Sequence, residues 1–453
     1  MKRGHKFIVT AAATALALSA CGGNANAPKA AALSPIEVGA VYPLSGPQGT
    51  GGTAEERGVA LAADFVNQHG GVNGRAIKLD VIDVPTAESV PSAMAELKRH
   101  NVQIVVGTHG STMSAVAAQQ AQQLHQLVWE TGAVGNLGMD NSSASNGNDS
   151  SSPSGSDSDW STPNTGPSPV GGMGRSFFRM SPQGSSLGRA GIDFVLHQLA
   201  PHLPGAPRLH VAVAYVEDAY GEAVAQGVVD QVRADHVALA GVFPYPEYGA
   251  DFTKIAGEIK GSGANVLYAS SYLSDGEALR RETIAQQVPL VASVGTSSSY
   301  CLPAFGDQLQ GAAVGLFASD KAAAYSINPA GLLAEGRSTL AWLQGQWAKQ
   351  YRDPLDAYAT SGFANAYALF AHVLPAASSL TAKGVSTAAT RVKLQVGSLA
   401  DGSGMNFLAG GSDAGENQAA SSVIWEWVAP GKEVVVWPPA YATQSVQVLP
   451  IQS

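Results

Sequence analysis

The sequence contains little charge and almost no cysteine. Only 13% of its 453 residues are Asp, Glu, Lys or Arg, while 45% are hydrophobic, so a disordered chain is excluded and two or three domains are expected. The formal net charge of −9 provides no basic surface for phosphates, so no nucleic acid partner is expected. With Cys21 and Cys301 as its two cysteines, the chain can build neither a disulfide framework nor a multi-cysteine metal site.

Motifs of the common enzyme classes are absent as well. The sequence has no G-x-S-x-G nucleophile elbow, no P-loop, no H-E-x-x-H and no G-x-G-x-x-G after a strand. The lone thiol of Cys301 has no clear His partner, so we interpret it as inert packing. His109 stands beside a predicted ligand loop, where a solvent-facing or satisfied imidazole is the simpler interpretation. The chain is therefore predicted to bind rather than to catalyse, with no cofactor and no metal.

The first 35 residues are predicted to be an export signal and a tether. Three basic residues precede an apolar run from Phe7 to Ala20, which is shorter than the ~20 residues that span a membrane. The run ends in Leu18-Ser19-Ala20-Cys21, which resembles the bacterial lipobox. We predict a signal peptide over 1–20, lipidation of Cys21 and a tether over 21–35; an ordinary signal cleavage near Ala20 is the alternative. The expected location is extracytoplasmic, lipid-anchored to the cell membrane.

After residue 35, apolar strand-like runs alternate with amphipathic helical segments. The predicted strands are Ile36–Tyr42, Ile77–Val84, Gln103–Val106, Leu127–Trp129, Leu209–Tyr215, Val237–Pro244, Asn265–Ser270 and Leu290–Ser293. A helix is predicted between most successive strands. Such β-α-β-α order predicts an α/β fold of two doubly wound parallel-sheet lobes.

Two further regions interrupt or extend this pattern. Asp140–Asp159 contains nine Ser, four Asp and three Asn, so it has almost nothing to bury and no fixed structure is expected. Its acids lack the spacing of an EF-hand loop, so no calcium site is predicted there. Near the end, helices are predicted over Arg337–Gln350 and Asp356–Leu374, followed by a hairpin over Ser422–Val428 and Val434–Val436. The aromatic residues of the second helix are interpreted as packing: Tyr358, Phe363, Tyr367 and Phe370.

Five segments, in this order, carry a resemblance to a known family. They are Val38–Pro47, the helix end Asn67–Gly74, Val105–Thr112, Tyr220–Glu222 and Gly249–Phe252. Together with the lipobox they resemble the branched-chain amino acid binding proteins of ABC importers, which have the type I periplasmic-binding fold. The resemblance covers about Ile36 to Pro439, apart from the region 136–175.

This resemblance implies two lobes joined by a three-segment hinge that closes over one small solute. Lobe 1 is expected over 36–178 and 322–420, with the insert at about 136–175, and lobe 2 over 179–321 and 421–453. The crossings are expected near 178–181, 318–322 and 420–423. The implied partners are a small solute and a membrane permease, and the protein is expected to act as a monomer.

Four candidate site residues lie in the first lobe. Ser111 and Thr112 follow a strand and precede a helix, where hydroxyl and N–H groups can hold a carboxylate; a plain N-cap pair is the alternative. Ser111 matches the family's carboxylate-binding serine. Gly132 can supply the carbonyl that the family gives to its ligand, whereas the family's hydroxyl position falls on Val134. Glu130 ends a strand, either facing the cleft or solvated at the surface.

The second lobe adds Tyr220 and Tyr272, which match positions where the family lines its pocket; packing is the alternative. The family acid that pairs with the ligand ammonium is expected after Leu290–Ser293, but the run Gly295–Tyr300 contains no carboxylate. A buried ammonium without an acid is costly. Either Glu130 replaces that acid, or the solute is an amide, a urea-like molecule, or an aliphatic or aromatic carboxylate.

Three functions are therefore considered. The favoured one is the solute receptor of an importer for branched-chain or hydrophobic amino acids, or for a related amide or carboxylate. A sensory receptor of the same fold is the second. A secreted lipoprotein enzyme is the third, and it would need a nucleophile–base pair or a metal cluster that the sequence does not show.

Overall fold

A computed structural model of the chain describes residues 33–135, 176–296, 298–407, 409 and 414–452. The predicted signal peptide, the predicted lipidation site at Cys21 and the insert at 136–175 lie outside these described residues. The internal contacts of Pro35–Ser453 make it one compact body. Within the described residues, no helix is both long enough and apolar enough to cross a membrane.

Runs of Val, Ile and Ala form a first sheet whose strands are all parallel. Its strands are β1 (Ile36–Tyr42), β2 (Ile77–Asp83), β3 (Ile104–Gly107), β4 (Leu127–Glu130) and β5 (Phe177–Arg179), in the order β2-β1-β3-β4-β5. Parallel neighbours require crossover connections. Three helices provide them: α1 (Gly49–Gln68), α2 (Val90–Arg99) and α3 (Ser111–Leu124).

A second sheet repeats this arrangement and adds a hairpin. Its strands are β6 (His210–Val216), β7 (Ala238–Tyr245), β8 (Val266–Ser270), β9 (Ala292–Thr296), β10 (Phe317–Asp320), β11 (Val423–Ala429) and β12 (Lys432–Trp437). The order is β12-β11-β10-β9-β8-β6-β7, and β11 and β12 are antiparallel. Its helices are α4 (Gly184–Phe194), α5 (Ala219–Ala234), α6 (Phe252–Gly261), α7 (Leu273–Ala285) and α8 (Pro303–Leu309).

Both sheets share one winding order. Each sheet and the helices packed on it form one structural unit. The first strand of each unit, β1 or β6, lies between the second and the third strands of that unit. The chain therefore reverses its winding direction between β1 and β3, and again between β6 and β8. In such sheets the ligand crevice opens beyond the carboxyl ends of the strands at this reversal. The topology alone therefore predicts two crevices, one at the carboxyl ends of the strands in each unit.

After β10 the chain returns to the first unit, where it forms four helices. They are α9 (Ala334–Gln350), α10 (Ala357–Tyr367), α11 (Leu374–Ala376) and α12 (Ala382–Ala389). Helix α10 packs on α1 with backbones in close approach, since a Cβ at Gly58 would overlap the Ala359 carbonyl oxygen, and a Cβ at Gly362 would overlap that of Glu55. Two glycines therefore set the distance between α1 and α10, and both helices carry side chains of the site described below.

The predicted α/β architecture with two parallel-sheet units is confirmed, and several element predictions are corrected. Strands β5 and β10 were missed, because three- and four-residue strands carry almost no periodicity. Strand β9 was predicted over Leu290–Ser293 but spans Ala292–Thr296. The second strand of the hairpin is longer than predicted.

The chain passes between the sheets three times. It leaves the first sheet after β5, leaves the second after β10 and re-enters it at β11. Arg179, expected at the start of lobe 2, is the last residue of β5 and pairs with Glu130 of β4 in the first sheet.

Candidate solute-binding site

Predicted site residues from both units lie at the two crevices. Ser111 opens α3 directly beyond β3, and Tyr220 lies in the first turn of α5 beyond β6. Tyr272 follows β8 and precedes α7. These positions are the carboxyl ends of the strands that flank each winding reversal. The topology alone therefore brings Tyr220 and Tyr272 together, with ring centroids 5.6 Å apart.

Ser111 connects the first crevice to the loop that follows β4. Its Oγ accepts a hydrogen bond from the Gly135 N–H at 2.9 Å, and Ser111 is buried. The Arg179 guanidinium donates a hydrogen bond to the Gly135 carbonyl oxygen. The same guanidinium forms a bidentate ion pair with the Glu416 carboxylate. A Cβ at Gly135 would lie 2.6 Å from the Ala219 carbonyl oxygen, so this loop contacts the start of α5 in the second unit.

Thr112 differs from its neighbour, because its side chain is exposed. It lies in the first turn of α3, as the sequence predicted, but its side chain takes no part in the buried hydrogen bonds around Ser111.

Glu130 is fully buried, so the interpretation as a solvated surface acid is wrong. Its Oε1 accepts hydrogen bonds from the N–H groups of Gly132 at 2.9 Å and Ala133 at 2.7 Å. Ser114 adds a longer contact to the same oxygen. Burial, together with the nearby charge of Glu55, raises the pKa of Glu130 to about 8. Glu130 therefore shapes the loop after β4 and is mostly protonated at neutral pH.

A second buried acid, Glu55 on α1, lies at the centre of a polar network. His109 Nδ1 lies 2.6 Å from Glu55 Oε2, and the Thr131 hydroxyl donates to Glu55 Oε1. Thr131 Oγ1 in turn lies 2.6 Å from the Tyr42 hydroxyl at the end of β1. The network joins the ends of β1, β3 and β4 through groups that are nearly all removed from water. Such satisfied networks rigidify the region that they cross.

The carbonyl of Gly132, which the resemblance assigns to the solute, is already occupied. Lys321, the residue after β10, donates from Nζ to this carbonyl oxygen at 2.8 Å. Only 1% of the surface of Lys321 is exposed. Its ammonium also faces the ring of Tyr358, 5.9 Å from the centroid. One hydrogen bond therefore joins the carboxyl edges of the two sheets.

On the second unit, Asp218 organises the two tyrosines. Its Oδ1 caps α5 by accepting from the Gly221 N–H at 2.7 Å, and its Oδ2 accepts from the Tyr272 hydroxyl at 2.6 Å. The Ser298 N–H approaches the Tyr220 hydroxyl at 3.4 Å. The tyrosines thus present ring faces with hydroxyls held by protein groups, which suits an apolar solute surface.

Comparison with known proteins agrees with this geometry. The family described as periplasmic binding protein matches residues 35–419. The chain belongs to this family. Its members are solute-binding proteins rather than enzymes and act outside the cytoplasm, so the predicted family, the solute-binding class and the extracytoplasmic location are confirmed at that level.

Individual relatives are distant. A Leu/Ile/Val-binding protein homolog 8 from Brucella abortus is 23% identical over 414 residues, or 90% of this chain and 92% of that protein. The crystal structure of a branched-chain amino acid transporter substrate binding protein from Streptococcus pneumoniae with isoleucine has a TM-score of 0.65 at 17% identity, over 89% and 100% of the chains. A solute binding protein from R. palustris in complex with benzoate has a TM-score of 0.64 at 16% identity, over 92% and 99%. These structures establish the fold.

Sequence reasoning missed two residues around this periplasmic binding protein's cleft, Glu55 and Lys321. His109 agrees with its interpretation as a satisfied imidazole, since its Nδ1 lies 2.6 Å from Glu55 Oε2. Tyr358, whose buried ring lies 4.9 Å from that of His109, and the core residues Phe363 and Phe370 agree with the interpretation as packing. The glycines in the first turn of α1 offered one usable signal of close approach, and a Cβ at Gly51 would indeed lie 2.6 Å from His109 Nε2.

Two other groups bear on metal and thiol chemistry. Cys301 is buried and donates from Sγ to Asp320 Oδ2 at 3.0 Å, and burial raises the pKa of its thiol, which fits the packing role given to it. Among the described residues, Asp193, His197 and Asp235 could offer three ligand atoms to a metal ion. They lie at the amino-terminal edge of the second sheet, opposite the cleft, and His197 is half exposed.

Proposed function

We propose that this periplasmic binding protein captures one small solute between its two units and delivers it to the permease of an ABC importer. The observation that supports this most directly is the contact of the Gly135 loop, which is hydrogen-bonded to Ser111, with the start of α5, where Tyr220 lies. The division into lobe 1 (36–178 and 322–420) and lobe 2 (179–321 and 421–453) is part of this proposal, except that Arg179 is assigned to lobe 1, because it ends β5 of the first sheet. Hinge motion at the three crossings opens and closes the cleft.

The proposed contacts are as follows. Ser111 and Thr112 hold a polar or anionic group of the solute at the N-terminus of α3, where the helix dipole favours negative charge. Tyr220 and Tyr272 cover its apolar part. Gly132 and Glu130 line the loop after β4. The solute is a branched-chain or hydrophobic amino acid, or a related amide or carboxylate, in keeping with the isoleucine and benzoate bound by the two structural neighbours.

The proposed location follows from the sequence before the described unit. Cys21 carries the lipid, and the monomer acts at the outer face of the cell membrane without catalytic activity of its own. Replacement of Cys21 by Ser should move the protein from the membrane fraction to the soluble fraction. Retention of Cys21→Ser in the membrane fraction would contradict the anchor.

Thermal unfolding with a solute panel tests the function. The chain without residues 1–20, carrying Cys21→Ser, is heated with Leu, Ile, Val, Phe, simple amides, urea and organic acids. A solute that binds only the folded state raises the free energy of unfolding by about 2.7 kcal/mol at a hundredfold excess over Kd. At least one panel member should give such a rise. Ser111→Ala should weaken it, whereas Ser338→Ala on the exposed face of α9 should not. No rise with any member would count against the proposal.

A further inference from the structure

Lys321 places a positive charge inside the cleft region with only part of its bonding capacity used. An ammonium group carries three N–H donors. Within the described part of the chain, Lys321 makes one hydrogen bond, to the Gly132 carbonyl oxygen at 2.8 Å, and forms no salt bridge. The face of the Tyr358 ring, 5.9 Å away, adds a weak cation–π contact. A charge that is 99% buried normally requires an opposite charge as well as hydrogen bonds.

The buried carboxylates of this region have other partners. Asp401, which interacts electrostatically with Lys321, accepts hydrogen bonds from the N–H and the hydroxyl of Ser403. Glu55 binds His109 and Thr131, and Asp320 accepts from Cys301. Glu130 Oε1 accepts two backbone N–H groups, and burial raises its pKa to about 8, so it carries little negative charge at neutral pH. None of these four acids approaches Lys321 Nζ within ion-pair distance in the described residues.

The first crevice also contains a helix N-terminus without a side-chain cap. Helix α3 begins at Ser111 with no side-chain cap, whereas Asp218 already caps α5. The positive ends of helix dipoles favour an anion there. With Lys321, the cleft therefore combines a fixed cation, the uncapped N-terminus of α3 and tyrosine rings.

We propose that the solute is an apolar monocarboxylate without an α-ammonium group, and that Lys321 pairs with its carboxylate. This inference rests on the proposed function and narrows its solute class. The resemblance assigns the Gly132 carbonyl to the solute, and this acceptor would suit a donor group such as an ammonium, but Lys321 occupies it. A second ammonium beside it would meet like charge at short range, and the segment Gly295–Tyr300 contains no acid to offset it. Since Gly132 and Lys321 follow strands of different sheets, hinge opening exposes the pair to an entering solute.

Matched solute pairs test this inference. Titration calorimetry with the unlipidated chain compares leucine with 4-methylpentanoate, and phenylalanine with 3-phenylpropanoate. The members of each pair differ only by the ammonium group. The carboxylate of at least one pair should bind at least tenfold more tightly than its amino acid. The neutral amide, 4-methylpentanamide or 3-phenylpropanamide, should bind at least tenfold more weakly than the carboxylate.

Variants then test whether Lys321 is the cation that pairs with the solute carboxylate. Lys321→Met should lose at least tenfold in carboxylate affinity, Lys321→Arg should lose less, and Lys349→Met, at an exposed position of α9, should not change it. Unchanged carboxylate affinity in Lys321→Met would overturn the inference. If Lys321→Met does not fold, the comparison of the matched solutes on the unsubstituted protein still tests whether the site prefers a carboxylate without an ammonium group.

The two proposals can fail separately. Tighter binding of the amino acid in every pair that binds would overturn the role of Lys321 while leaving solute capture intact. Absence of binding by every member, with a normal unfolding transition, would count against both.

Discussion

His109 Nδ1 lies 2.6 Å from Glu55 Oε2, and this contact fastens the loop after β3 to the first turns of α1. The Glu55 side chain is fully buried, and that of His109 is 11% exposed. The same carboxylate receives the Thr131 hydroxyl from the loop after β4. One acid therefore holds two of the loops that line the cleft.

Glu55→Gln should destabilise the protein. The substitution leaves at least one buried hydrogen bond without a charged acceptor, and buried groups that lose a partner cost about 1–3 kcal/mol. Urea unfolding monitored by tryptophan fluorescence measures this change in the free energy of unfolding. The matched control is Glu37→Gln, which removes an exposed pair with Lys78 and should cost less than about 1 kcal/mol. Equal losses in the two variants would contradict the structural role of Glu55.

Glu130 should make stability fall as the pH rises. Its folded-state pKa of about 8 lies above the ordinary value of 4.5, chiefly because of burial. Between these values the folded protein retains a proton that the unfolded chain has lost, so the free energy of unfolding declines across that window. Urea unfolding at pH 5 and pH 8.5 measures the decline.

The variant Glu130→Gln isolates this contribution. The amide oxygen can still accept from the Gly132 and Ala133 N–H groups but does not titrate. The variant should therefore lose less stability than the parent between pH 5 and pH 8.5, with the remainder due to groups such as Glu426, whose pKa is raised to about 7 by burial. A decline of the same size in both proteins would show that Glu130 is not the titrating group.

Ser111 and Thr112 are adjacent but should respond differently to replacement by alanine. Ser111→Ala leaves the buried Gly135 N–H without its acceptor and should cost about 1–3 kcal/mol. Thr112→Ala, at an exposed position, should change stability by less than about 0.5 kcal/mol. Urea midpoints of the two variants provide the test. A larger loss in Thr112→Ala would contradict the arrangement described for the start of α3.

Gly58→Ala should disrupt the packing of α1 on α10. The added methyl group would overlap the Ala359 carbonyl oxygen, so the helices must separate, and overpacking of this kind costs about 1–3 kcal/mol. Gly345→Ala in α9 is the matched control, since its Cβ would meet no atom within 4 Å. That variant should gain up to about 1 kcal/mol from helix propensity. Differential scanning calorimetry should therefore show melting temperatures that shift in opposite directions.

Much of the fold was predictable from local patterns. Strands buried on both faces appear as continuous apolar runs, and their alternation with helices specifies parallel crossovers, because no other connection joins parallel neighbours. The candidate residues Ser111, Tyr220 and Tyr272 could be located because each lies after a predicted strand or at the start of a predicted helix and matches a pocket position of the family that the sequence resembles. Short strands such as β5 and β10 were not predictable, because their pairing is decided by distant strands that the local sequence does not contain.

The sequence by itself determined the α/β class, the family and the position of three crevice residues, all of which depend on periodicity and on residues close together in the chain. Only the tertiary structure decided the burial of Glu130, the pairing of Glu55 with His109 and the bond from Lys321 to Gly132. Those facts depend on contacts between residues 54 to 189 positions apart, and on how much water the packed elements exclude from each charge. Burial and charge pairing are properties of the assembled fold, so no local pattern could reveal that the acceptor expected for a solute is occupied by the protein's own lysine.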